Sequence, residues 1–143
     1  MKKLIFILSA LGFLFSSTAP ASDKETELKP IALQVVKEAR AIADKAGGIQ
    51  YAENPTKASY DLHQRRDHLE KTAEPLGTLF DRPYGRCGEL AKSLYGYINA
   101  KAGFDSMPHY AIEAYHTALR DCEAQIDGKD KPDPNKKLMV LEF

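Results

Sequence analysis

The two cysteines of the chain, Cys87 and Cys122, constrain its fold more than any other feature. The point midway between them falls between residues 104 and 105, inside a turn from Gly103 to Ser106 that separates two stretches of helical periodicity. Before the turn, Cys87, Ala91, Leu94 and Ile98 share one side of a helix from about Arg86 to Ala102. After it, Ile112, Tyr115, Leu119, Cys122 and Ile126 do the same from about Met107 to Ile126. Folding the second helix back on the first brings both sulfurs to the same height, at the end away from the turn. Packed helix axes lie about 8 to 10 Å apart, and a disulfide needs its Cα atoms within about 7 Å, so a bridge is expected. A redox-active pair usually sits in a Cys/x/x/Cys arrangement at a helix N-terminus. That arrangement is absent, and the bridge reads as a structural staple.

A disulfide implies an oxidising compartment, and the N-terminus suggests how the chain reaches one. Met1, Lys2 and Lys3 precede an apolar run from Leu4 to Phe15, then Ser16, Ser17 and Thr18, then Ala19, Pro20 and Ala21. This is the order of a cleavable secretory signal, with cleavage expected after Ala21. The apolar run is shorter than the ~18 residues of a membrane-spanning helix. Residues 1–21 therefore read as signal and 22–143 as one domain, with the periplasm as the expected destination and release outside the cell as the alternative.

Cleavage removes two of the 20 basic residues and leaves 18 against 20 acidic ones, a net charge of −2. Phosphate binding requires a basic excess on one face, so nucleic acid is not the expected partner. No polybasic amphipathic helix points to a membrane surface either.

Four helices are expected, making an all-α, four-helix bundle-like domain whose last two helices share the disulfide. The first runs from about Leu28 to Ala46, where Leu28, Ala32, Val35, Ala39, Ile42 and Ala46 form one stripe. Gly47 and Gly48 end it, and Pro30 is placed in its first turn. The second begins after Asn54 with Pro55 in first position and reaches about Ala73, with Ala58, Leu62, Leu69 and Ala73 inward. Pro75 to Gly85 is expected to be a loop folded back across the bundle, because Leu76, Leu79, Phe80 and Tyr84 are many apolar residues for a solvated segment. Gly88 and Gly96 inside the third helix suggest close approach by a neighbour. Beyond Gly128 the charged, proline-bearing stretch to Lys137 is expected to be extended, and Leu138 to Phe143 to form a short strand or a strap over the core.

Catalytic and metal motifs are sparse. Glu113 and His116 make one Glu/x/x/His element, whereas a carboxylate-bridged di-metal bundle needs two. His63 and His68 point about 140° apart on a helix and read as solvated surface residues. There is no Cys/x/x/Cys/His for covalent haem attachment and no Gly/x/Ser/x/Gly nucleophile elbow. No catalytic residue, metal site or cofactor is therefore assigned, and the chain is not read as an enzyme.

The remaining candidates are for binding another protein. Arg82, Tyr84 and Arg86 cluster on a proline-stiffened loop, and arginine and tyrosine are enriched where interfaces carry their energy. The bland alternative packs Tyr84 on the bundle and pairs the arginines with Asp81 or Glu89. Arg65 and Arg66 fall near the inward line of the second helix, either snorkelling to solvent or held at an interface by a carboxylate. In size, signal and single disulfide the chain resembles small exported immunity proteins and inhibitors that block cell-wall-attacking toxins and hydrolases. That resemblance covers no motif and transfers no residue. The expected function is thus an exported, non-catalytic protein-binding protein. The alternative is a periplasmic bundle binding a small ligand, a metal or haem.

Overall fold

The computed structural model describes residues 21–130, with side chains from residue 23. The expected signal segment apart from Ala21, the part of the expected extended stretch beyond Asp130, and the expected strap Leu138 to Phe143 lie outside the described residues. Within them the fold is four α-helices with no strand: α1 Ala21–Ala46, α2 Pro55–Ala73, α3 Gly85–Ala102 and α4 Pro108–Ile126. Single 3₁₀ turns at Ile49–Tyr51 and Glu74–Leu76 follow α1 and α2. The all-α, four-helix architecture expected from periodicity is the one observed.

The predicted stripe of α1 is the buried one: Leu28, Ala32, Val35, Ala39, Ile42 and Ala46 all lie in the core. Its start is not where the sequence placed it. The helix begins at Ala21, so Pro30 is interior and not in the first turn. Pro30 is exposed, so the backbone bond it cannot donate is lost on the side open to water, where the cost is least. Helix α2 starts as expected, with Pro55 in its first turn and Asn54 Oδ1 accepting from the backbone N–H of Lys57 at 2.9 Å.

Helices α1 and α3 each pack against every other helix, which makes them the inner pair, with α2 and α4 at the flanks. The most extensive contact is between α3 and α4. Gly96 admits that contact, since a Cβ there would stand 3.2 Å from the Cβ of Ala111. Gly103 closes α3 in the left-handed conformation at φ 79°, as a terminal glycine does. Cys87 and Cys122 are both fully buried and joined, with Cα atoms 4.6 Å apart. The staple thus sits in the first turn of α3 and the last turns of α4.

Helix α4 is the least enclosed of the four. Tyr115, Cys122 and Gln125 are buried, while Ile112, Leu119 and Ile126 are only partly covered by the core. Phe104, Met107 and Tyr110, at the turn and in the first turn of α4, are exposed.

Candidate functional site

The connection between α2 and α3 is a tightly braced structure. Gly77 takes φ 83°, which favours glycine, and its amide donates to the carbonyl of Glu74 at 3.1 Å. Asp81 then turns the chain: its Oδ2 accepts from the backbone N–H of Thr78 at 2.6 Å and from the Thr78 hydroxyl at 2.8 Å. The backbone donor, and after it the hydroxyl, holds the Asp81 carboxyl below its ordinary pKa. Beyond the turn, Gly85 and Gly88 bring α3 against the backbone it came from. A Cβ on Gly85 would fall 1.8 Å from the Thr78 carbonyl oxygen, and one on Gly88 would fall 2.5 Å from that of Gly77. Only glycine fits either position.

Tyr84 is fully buried, so the reading that packs it on the bundle is the one observed, and as an interface candidate it is corrected: it is a core residue. Its hydroxyl is buried with no hydrogen-bond partner among the described residues, and burial raises its pKa. The exposed aromatic is Phe80, at 86 % accessibility, which the sequence reading had folded onto the bundle with its neighbours. In an aperiodic loop nothing in the residue pattern distinguishes an inward ring from an outward one.

Arg82 of the loop and Arg86 in the first turn of α3 both reach toward α4 and the segment after it. Arg82 is exposed and pairs with Asp130 at 2.5 Å. Arg86 pairs with Asp121 at 3.3 Å, and its backbone N–H donates to Oε1 of the buried Gln125 at 2.9 Å. These partners replace Asp81 and Glu89, the local carboxylates considered from sequence. Neighbouring Leu79, Arg86, Glu89, Tyr110, Glu113, Ala114 and Asp121 line an open groove of about 420 Å³ between α3 and α4.

Arg65 and Arg66 are elsewhere. Arg65 bridges to Glu38 of α1 at 3.0 Å. Arg66, with its side chain only 17 % accessible, pairs with Asp67 at 2.6 Å and Glu70 at 2.7 Å and lies over the Tyr95 ring. The five candidates therefore do not converge: Arg82 and Arg86 share one end of the bundle, while Arg65 and Arg66 tie α2 to its neighbours. His63 is corrected as well, since it is half-buried and not a solvated surface residue. Its Nε2 lies 3.0 Å from Asn99 Oδ1, an oxygen that only accepts, so that nitrogen donates, and the ring meets Tyr95 at 5.0 Å.

A second cleft, of about 530 Å³, lies where the C-terminal half of α2 meets the loop and α3. Carboxylates and amines are interspersed on its walls: Asp67, Glu70 and Glu74 face the space with Lys71 and Lys92. Lys92 is already paired with Glu89 at 2.9 Å, which raises its pKa, and Glu70 and Asp67 are held by Arg66. Among the described residues no group of three or more His, Cys, Asp or Glu side chains could hold a metal ion. Nor is any described helix long and apolar enough to cross a membrane.

No protein-family model matches the chain, and no curated protein and no solved structure matches it either.

Proposed function

We propose that the protein is an exported, non-catalytic protein-binding protein, delivered to the periplasm by residues 1–21, of the immunity or inhibitor kind that neutralises a cell-wall-targeting toxin or hydrolase. The observation that carries this reading is Phe80, held out into solvent at 86 % accessibility on a loop that two close-packed glycines and an aspartate brace from behind. An exposed ring on a pre-formed loop loses little freedom when a partner covers it, which is what makes an aromatic anchor effective. Arg82 beside it supplies a cation, and the buried disulfide suits an oxidising compartment.

The test is affinity capture from periplasmic extract with the wild-type chain and with Phe80→Ala and Arg82→Ala. The reading expects one dominant partner, retained by wild type and weakened tenfold or more by Phe80→Ala, with melting temperatures unchanged. Equal capture by all three proteins would overturn it, as would the absence of a specific partner. Bound metal or visible absorbance in the purified protein would instead promote the ligand-binding alternative.

A further inference from the structure

We propose that the groove between α3 and α4 docks an amphipathic helix of a partner protein, apolar at both ends of its inward face and bearing a lysine or arginine between them. The proposal rests on the protein-binding reading and extends the Phe80 loop into one continuous surface. The groove runs beside Tyr110, Glu113, Ala114, Thr117, Ala118 and Asp121 of α4, whose spacing makes a single stripe about 17 Å long. Where α3 begins it is lined by Leu79, the residue before Phe80, and by Arg86. At the other end Tyr110 stands exposed, with Phe104 and Met107 exposed in the turn that precedes it.

The walls decide the form of the occupant. Both are helices, so the groove offers no open strand edge. An extended segment laid there would lose water from its backbone groups and find no ladder in exchange, whereas a helix satisfies its own. The middle of the stripe is small, and Ala114, Thr117 and Ala118 let a helix axis approach toward the short end of the usual range of about 8 to 10 Å. Leu79 with Phe80 at one end and Tyr110 with Met107 at the other are larger and give such a helix two apolar anchors. Charge selects the chemistry between them. Three carboxylates, Glu89, Glu113 and Asp121, line the groove against one guanidinium, that of Arg86. Lys92 holds Glu89 and Arg86 holds Asp121, but Glu113 makes no ion pair among the described residues. Glu113 lies one turn along α4 from Tyr110, so a lysine or arginine one turn in from the apolar end of the docked helix meets it. A helix with an acidic inward face, or an anionic lipid surface, would meet like charge instead.

The test pans a phage-displayed library of amphipathic helices of about 15 residues, randomised on the inward face, against the full-length protein. Selected helices should carry a lysine or arginine one turn in from an apolar end. Added as a synthetic peptide, a selected helix should shift the amide resonances of residues 110–121. Ala114→Arg, which fills the exposed middle of the stripe, should weaken that peptide by about tenfold or more with the melting temperature unchanged. Glu113→Lys should turn the selection toward helices acidic at the matching position. Failure to select any helix, selected helices without a basic residue, shifts confined to other parts of the fold, or equal binding by Ala114→Arg would each overturn the proposal. Shifts of residues 110–121 that grow with protein concentration alone would assign the groove to a second copy and overturn it, as would binding to anionic vesicles through the same residues. Capture from periplasmic extract separates the proposal from the reading beneath it. A partner lost by Phe80→Ala yet kept by Ala114→Arg removes the groove alone, and a partner kept by both removes the two together.

Discussion

The side chain of Gln125, near the end of α4, caps the start of α3: its Oε1 accepts from the backbone N–H of Arg86 at 2.9 Å. Tyr84, in the N-cap position of α3, offers no side-chain acceptor of its own, so a residue from another helix does the work of a local cap. Gln125→Ala should therefore destabilise the protein by about 1 to 2 kcal/mol, the range for losing a cap and leaving a donor unpaired. Arg86→Ala, which keeps the backbone donor and removes only the half-exposed pair with Asp121, should cost under about 1 kcal/mol. Denaturant midpoints for the two variants decide the matter, and a larger loss from Arg86→Ala would reverse the assignment.

Among the described glycines Gly85 leaves the least room for a side chain. A methyl group there meets the Thr78 carbonyl oxygen at 1.8 Å, and neither backbone can retreat without breaking the Asp81 turn. Gly85→Ala is expected to destabilise by about 3 kcal/mol, the upper part of the range for overpacking. Gly48→Ala, whose Cβ would have an ordinary 3.6 Å contact, is the control and should cost little. Thermal unfolding that treats the two alike would show that the loop yields.

Tyr84 carries a buried hydroxyl without a partner among the described residues, a cost to the fold. Tyr84→Phe removes the oxygen and keeps the ring, so stability should rise by about 1 kcal/mol. Tyr84→Ala should lower it by about 3 kcal/mol or more through the cavity it leaves. A loss of stability in the phenylalanine variant would mean that the hydroxyl is bonded in solution.

Burial, followed by the neighbouring Tyr97, pushes the Tyr115 hydroxyl from 10.0 up to about 12. The folded chain thus keeps this proton at a pH where the unfolded chain has begun to release it. The contribution to stability is fully present below pH 10 and declines as the pH rises toward about 12. In Tyr115→Phe that part of the alkaline decline should disappear, along with the last-titrating phenolate in the ultraviolet spectrum. An unchanged alkaline profile would rule out this residue as its source.

The disulfide spans 35 positions, and in the chain-entropy description a loop of that size stabilises by about 4 kcal/mol. Replacing both cysteines by alanine should lower the unfolding free energy by about that amount while leaving helix content high at low temperature. A loss below about 1 kcal/mol would indicate that the unfolded chain is already constrained without the bridge.

Regular helices with one greasy stripe were readable in advance, because burial there repeats with the backbone. The stripe of α1, the start of α2 at Pro55 and the end of α3 at Gly103 all follow from local rules, and the bridge follows from two such helices and a turn. The misses share a different cause. Pro30 and the early start of α1 depend on which side of the helix meets water, and the 3₁₀ turn at Ile49–Tyr51 is too short to show a period. At the candidate site Tyr84 is inward and Phe80 outward, a difference the residue pattern does not carry, since only the glycine contacts with Thr78 and Gly77 decide where the loop lies. The partners of Arg82 and Arg86 are 48 and 35 positions away, beyond any local pattern.

The position of the staple also determines what happens to a cut molecule. A protease that nicks the exposed segment around Phe104 and Met107 severs the hairpin at its only peptide link, yet Cys87 and Cys122 lie on opposite fragments. The pieces stay tethered, and the nicked protein remains one covalent molecule, heavier by a single water, until a reductant is added.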